Sequence, residues 1–293
     1  IKTWLGMKYL VVVANGLTDR PIAEKDNKTP LQLADTPNLD QMVQNGFSGS
    51  VQTIPENHHV SNEVSYLSLL GYDPKKYDIS PAYFVTLAMG LKLKNGEVPL
   101  CCDFVTLQAS HNDMVMKDYT AGRLSCEDSK NYLKALQDKI SDSPITFYSG
   151  FSHNNLMVIK SQPFSKRLIP PNELIGEGIR KFMPEDDQFK DLIYIINQAQ
   201  IILHNHPMSQ QRKLKNLDLV NSIWLWGNGK TGALPPFEEK FKKIGTIISP
   251  SLLFQGIAKA ANMNIRAVER ATGFAETNFE GKVEAAILEL KTQ

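Results

Sequence analysis

With 293 residues, 42% of them hydrophobic and 22% charged, the chain has the composition of an ordinary globular protein and the length for one large or two modest domains. Its 32 basic and 31 acidic residues leave a net charge of +1, which gives no electrostatic reason for nucleic acid or an anionic membrane as a partner, and no apolar run approaches the length of a bilayer span. Three cysteines cannot all pair with one another, so they read as free thiols in a reducing compartment, cytoplasmic or an organelle matrix.

The chain opens on Ile1, and IKTWLG reads as an extension whose own start is missing; a removed organellar presequence, mitochondrial for example, is one explanation. KYLVVVA (Lys8 to Ala14) is a short apolar run rich in β-branched residues, which predicts a strand buried on both faces. Asn15-Gly16 breaks it at the end where open α/β sheets bind ligands, although the residues themselves favour a plain Asn-Gly turn. Thr36-Pro37 opens a helix with Leu39, Met42 and Val43 toward the core, ended by Asn45-Gly46.

The stretch from Asn57 to Pro74, NHHVSNEVSYLSLLGYDP, carries the sharpest punctuation. Asn62 can cap a helix whose Val64, Leu67 and Leu70 share a face, with Gly71 at its end and Pro74 beyond. A helix start behind a polar loop favours an anion through its free N–H groups and dipole. His58 and His59 lack any partner spacing for a metal and read as surface residues, and His204 and His206 read as a helix end in which imidazoles meet the last carbonyls.

Further on, VPLCCDFVTL (Val98 to Leu107), ITFY (Ile145 to Tyr148) and LMVIK (Leu156 to Lys160) predict strands. Between the first two, Ser125 to Ile140 predicts an amphipathic helix with Tyr132, Leu133, Leu136 and Ile140 inward. A β-α-β-β run of this kind suits a small α+β lobe, and Gln162 to Asp187 reads as the crossing back from it. A long helix follows, marked by Phe189, Ile193, Ile196 and Leu203. SIWLW (Ser222 to Trp226) is a core strand, and the GNGKTG after it lacks the spacing of a phosphate loop and reads as a sheet-edge loop. Strands at Gly245 to Ser249 and Asn264 to Val268 alternate with helices at Ser251 to Ala261 and Asn278 to Leu290, which predicts a mostly parallel, doubly wound sheet.

Six segments taken together, Val11 to Glu24, Lys28 to Gly49, Leu67 to Pro74, Asp118 to Ser125, Ser222 to Gly229 and Ala271 to Lys282, resemble the archaeal-type, cofactor-independent phosphoglycerate mutases of the alkaline phosphatase superfamily. The resemblance runs from Met7 to the end and is weakest between Asn155 and Gln198. It implies an α/β fold: an alkaline phosphatase-like doubly wound sheet, incomplete here, formed by residues 7–90 and 185–293, with an inserted α+β cap over 91–184.

It also implies a phosphoryl-transfer enzyme that uses two divalent metal ions such as Mn, Mg or Zn, with a serine nucleophile at a helix start. Residue by residue, Asn62 stands at the serine's position, Asn15 at that of a metal-binding aspartate, and Asn154 at that of a substrate-binding arginine, while Asp118 and Arg123 match. An amide offers neither a phosphorylatable oxygen nor the charge a hard cation favours. The expectation is an inactive relative without metal, kept as a structural or accessory subunit, with another polypeptide covering residues 245–293 and a phosphorylated ligand as a possible remnant. The alternative is an active mutase completed by a C-terminal half absent here or separately encoded.

Overall fold

The computed structural model describes residues 7–140 and 144–292; the IKTWLG extension lies outside them. The first helices are α1 (Pro30–Leu33), α2 (Pro37–Asn45), α3 (Asn62–Leu69) and α4 (Pro81–Ala88). Three of them start on proline, whose missing N–H falls where the helix needs none. Ser80 caps α4 by accepting from the Tyr83 amide at 3.2 Å. At α3 the expected cap is displaced by one residue: Asn62 is the first helical residue, Ser61 occupies the cap position, and no side chain closes the end. Gly71, at φ +75°, then turns the chain out of the helix.

The middle of the chain builds one sheet. Its elements are β1 (Glu97–Ser110), β2 (Asp113–Asp118), α5 (Cys126–Lys139), β3 (Ile145–Phe151), β4 (Asn154–Lys160), α6 (Lys190–His204), α7 (Pro207–Leu214) and β5 (Ser222–Trp226). The strand order is β2-β1-β4-β3, with β5 also on β1, and every pairing is antiparallel. Cys101 sits in register between Leu156 and Trp226. α5 buries Tyr132, Leu133 and Leu136, as its periodicity predicts, and Ser125 Oγ caps it by accepting from the Asp128 amide at 3.0 Å. α6 lays Leu192, Ile195, Ile196, Ala199 and Leu203 into the same core. Strand alternation sends Cys102 into this core and Cys101 into a second apolar layer with Ala82, Val85, Leu156 and Val158.

The last third consists of α8 (Phe237–Phe241), β6 (Thr246–Ile247), α9 (Leu252–Ala260), β7 (Asn264–Ile265) and α10 (Phe279–Thr292). β6-α9-β7 is a parallel β-α-β unit, two residues per strand. α9 crosses α4 at Gly256, where a Cβ would stand 1.8 Å from the Phe84 carbonyl oxygen, so only hydrogen fits. Leu67, Tyr72, Phe84 and Ile257 form the core at this crossing. None of the helices among the described residues is long and apolar enough to cross a membrane.

Three expectations are corrected. Lys8 to Ala14 forms no ladder and is exposed, with Val11 at 75% and Val12 at 78%. An apolar run becomes a buried strand only where neighbours pair its backbone, and among the described residues none does. α2 forms, but Leu39, Met42 and Val43 stand in solvent for the same lack of a facing layer. The parallel sheet reduces, among the described strands, to β6 and β7; local patterning finds strands without fixing their partners. Overall, the architecture is mixed α/β.

Candidate functional site

Asn15 follows the extended segment in the tight turn its sequence predicts, with Leu17 N donating to Ala14 O at 3.2 Å and Gly16 at φ +85°. Its side chain lies near enough to the Tyr66 hydroxyl on α3 to lower that group's pKa. Tyr66 lies one turn after Asn62, so the fold brings Asn15 and Asn62 to the same helix. Burial raises the Tyr66 pKa, and the Asn15 contact acts against that rise. Tyr66 is held in place by stacking on Phe254 of α9, with ring centroids 4.5 Å apart. Asn62 itself is exposed.

Charged groups gather around that helix start. Glu63, 4% exposed, is paired with Arg167 Nη2, and His59 Nε2 lies 3.2 Å from Glu173 Oε2. Burial raises the Glu173 pKa, His59 and Arg167 lower it, and Glu63 raises it further. Ser61 Oγ and His58 Nδ1 are shielded from solvent without a hydrogen-bond partner. None of Glu63, Arg167 and Glu173 was singled out from sequence. The lone acid in an apolar helix face was a readable signal at Glu63, but pairing across a hundred residues was not.

Asn154, the third position read from the resemblance, lies in the antiparallel sheet. Asn154, at the head of β4, donates from Nδ2 to Asp103 Oδ1 at 3.1 Å, and Trp226 Nε1 donates to Asp103 Oδ2 at 2.8 Å. Asp103 is buried on β1, and burial lifts its pKa to about 7 against the lowering effect of these donors. Beside it, burial pushes His153 down to about 4 despite the attraction of Asp118. The Cys101 thiol is pushed well above its usual range by burial first, with Asp103 and Glu63 adding to the rise.

Asp118 ends β2 with its carboxylate turned onto its own loop, accepting from Thr120 N at 2.7 Å, Thr120 Oγ1 at 2.8 Å and Gly122 N at 2.6 Å. Burial acts to raise its pKa, but these bonds outweigh burial and lower it. Arg123 points elsewhere, to Glu276 Oε1 at 3.4 Å and over the Phe274 ring at 5.2 Å. The two therefore do not converge. His204 ends α6, whereas His206 departs from its reading: its Nδ1 accepts from the Met208 amide at 3.2 Å and caps α7. No three His, Cys, Asp or Glu side chains among the described residues converge on a point that could hold a metal ion. The residues present therefore do not fit a pair of divalent ions, whose hard charge calls for several carboxylates or imidazoles.

Residues 43–209 match a family profile described as 2,3-bisphosphoglycerate-independent phosphoglycerate mutase. A probable 2,3-bisphosphoglycerate-independent phosphoglycerate mutase of Geobacter sulfurreducens is 35% identical over 281 residues, which cover 96% of this chain and 70% of that protein. The Methanosarcina barkeri protein named 2,3-bisphosphoglycerate-independent phosphoglycerate mutase is 35% identical over 291 residues, covering 98% of this chain and 71% of its own length. A solved protein of Pyrococcus horikoshii shares the fold at a TM-score of 0.62 and 24% identity, over 94% of this chain and 66% of that one. The chain shares the mixed α/β fold of that solved protein, and it belongs to the 2,3-bisphosphoglycerate-independent phosphoglycerate mutase family.

Proposed function

We propose that this family member does not carry out phosphoryl transfer on its own residues and serves as an accessory or structural subunit of a larger assembly. The observation that carries the reading is the pair of amides at α3: Asn62 at its entrance and Asn15 near Tyr66 one turn on. Neither amide can accept a phosphoryl group or neutralise one through a bound cation. The surface a partner would use is the apolar one on Tyr9 to Val13, on α2 and on Phe279, Val283 and Ile287 of α10, with the partner covering residues 245–293. A phosphorylated ligand retained at the α3 entrance belongs to the same proposal. The test is conversion of 2-phosphoglycerate to 3-phosphoglycerate by the purified chain with manganese, magnesium or zinc: the reading requires none above a matched blank.

A second reading is favoured by the names of the relatives, which are phosphoglycerate mutases sharing about a third of their residues with nearly all of this chain. In it, the protein is a metal-dependent mutase whose metal ligands lie in the part of the relatives' length that these 293 residues do not span, the match covering 70% of the Geobacter sulfurreducens protein. Turnover that appears only when the equivalent C-terminal part of a relative is added would establish it.

A further inference from the structure

The segment between β4 and α6 crosses the molecule, and four side chains from outside it fasten residues 166–173. Asn228 grips the backbone twice, donating from Nδ2 to Lys166 O at 2.9 Å and accepting at Oδ1 from the Leu168 amide at 2.9 Å. Trp224 Nε1 donates to Ile169 O at 2.8 Å. Glu63 takes the Arg167 guanidinium, and His59 meets Glu173.

Asn228 is 2% exposed, and it faces inward because Gly227 and Gly229 adopt φ of +71° and +151°, conformations glycine reaches without strain. The GNG turn thus has a structural task. A buried amide with both its donor and its acceptor satisfied by one passing backbone is a positioning device: the geometry is fixed at both ends and is costly to break. What it positions is Arg167, whose two backbone neighbours are the ones gripped.

We infer that residues 166–173 form a strap beside the entrance of α3, seated by Asn228 and Trp224 and latched by the Arg167–Glu63 and Glu173–His59 pairs, and that access to the Ser61 hydroxyl requires the strap to lift. The two ion pairs bracket that entrance, at residue 59 before it and at residue 63 after it. Ser61 Oγ, shielded and unpartnered between them, is the one atom of the entrance that the strap would cover, since Val60 and Asn62 on either side are exposed. The Glu63 carboxylate is almost wholly buried while Arg167 is half exposed, so losing Arg167 leaves an unpaired buried charge and biases the strap toward opening. This inference rests on contacts alone and holds whether or not the chain is an active mutase.

A thiol at the entrance reads the motion directly. In a Cys126→Ser background, Ser61→Cys is expected to react slowly with a water-soluble thiol reagent, because Cys101 and Cys102 are buried and stay silent. Adding Asn228→Ala should speed labelling at position 61 roughly tenfold or more, as expected for about 1.4 kcal/mol or more of lost fastening. Adding Arg167→Met should speed it several-fold. Without any introduced cysteine, Arg167→Met should accelerate amide exchange at Leu168 and at residues 62–64 together; this arm decides the matter if Asn228→Ala or Ser61→Cys fails to fold. Fast labelling in the parent, unchanged labelling in both variants, exchange that rises at Leu168 alone, or equal acceleration at Cys101 through global unfolding would each overturn the strap.

Discussion

Asp103 and His153 are buried neighbours with opposite displacements, the carboxyl raised to about 7 and the imidazole lowered to about 4. Between the ordinary carboxyl value and about 7, folded Asp103 keeps a proton that the unfolded chain has lost, so its contribution to stability is full at low pH and is lost as pH rises. Between about 4 and the ordinary imidazole value of 6.5, folded His153 lacks a proton that the unfolded chain binds, so its contribution grows as pH rises. Each slope is about 1.4 kcal/mol per pH unit at most, and they oppose. Urea midpoints should therefore change little from these two groups between pH 4.5 and 6.5, roughly the window where both slopes act. Asp103→Asn should unmask a rising trend there and His153→Gln a falling one; parallel profiles for both variants would contradict the pairing.

Position 62 should be inert even with a hydroxyl in place. Asn62→Ser puts a nucleophile at the α3 entrance, yet the Asn15 amide supplies no charge for a cation. The expected outcome is no burst of enzyme-bound phosphate on incubation with radiolabelled 3-phosphoglycerate and manganese, in the single variant or together with Asn15→Asp. Stoichiometric labelling of the double variant would show that other groups complete a metal site.

The crossing of α4 and α9 should tolerate no added carbon. Gly256→Ala drives a methyl into the Phe84 backbone, and moving two buried helices apart costs about 3 kcal/mol or more. Gly49→Ala, in open space without a positive φ, should stay within about 0.5 kcal/mol of the parent. Thermal melts of the two variants side by side check both.

The exposed run at Tyr9 to Val13 should make the isolated chain self-associate. Val12→Lys places a charge in its middle and should shift sedimentation toward monomer without lowering the melting temperature. If the parent is already monomeric and the amides of residues 245–268 are protected in isolation, the proposed partner surface loses its basis.

How much of this was legible beforehand follows the range of the interactions. α5 was readable in full because a Ser-x-x-Asp start and a 3.6-residue apolar period are local, and β1, β3 and β4 were readable as apolar runs. β2 was missed because DMVMKD alternates too weakly, and α4 because its all-apolar face has no polar period. The strand reading of Lys8 to Ala14 failed because burial depends on what lies alongside, which no local pattern contains. At the candidate site, Asn15, Asn62 and Asn154 came from resemblance. Asp103, His153, Arg167 and Asn228 stayed hidden because each acts through a partner distant in the chain.

The placement of β5 also governs how the chain assembles itself. β1 meets β2 and β4 within about sixty residues, but its third neighbour, with Trp226 opposite Cys101, lies more than a hundred residues downstream. On a ribosome delivering roughly 5–20 residues per second, the edge of β1 at Cys101 to Val105 therefore waits several seconds or longer for β5. The slow step of folding should be closure of that long loop, and the nascent chain is most open to mispairing and chaperone capture in the interval before SIWLW emerges.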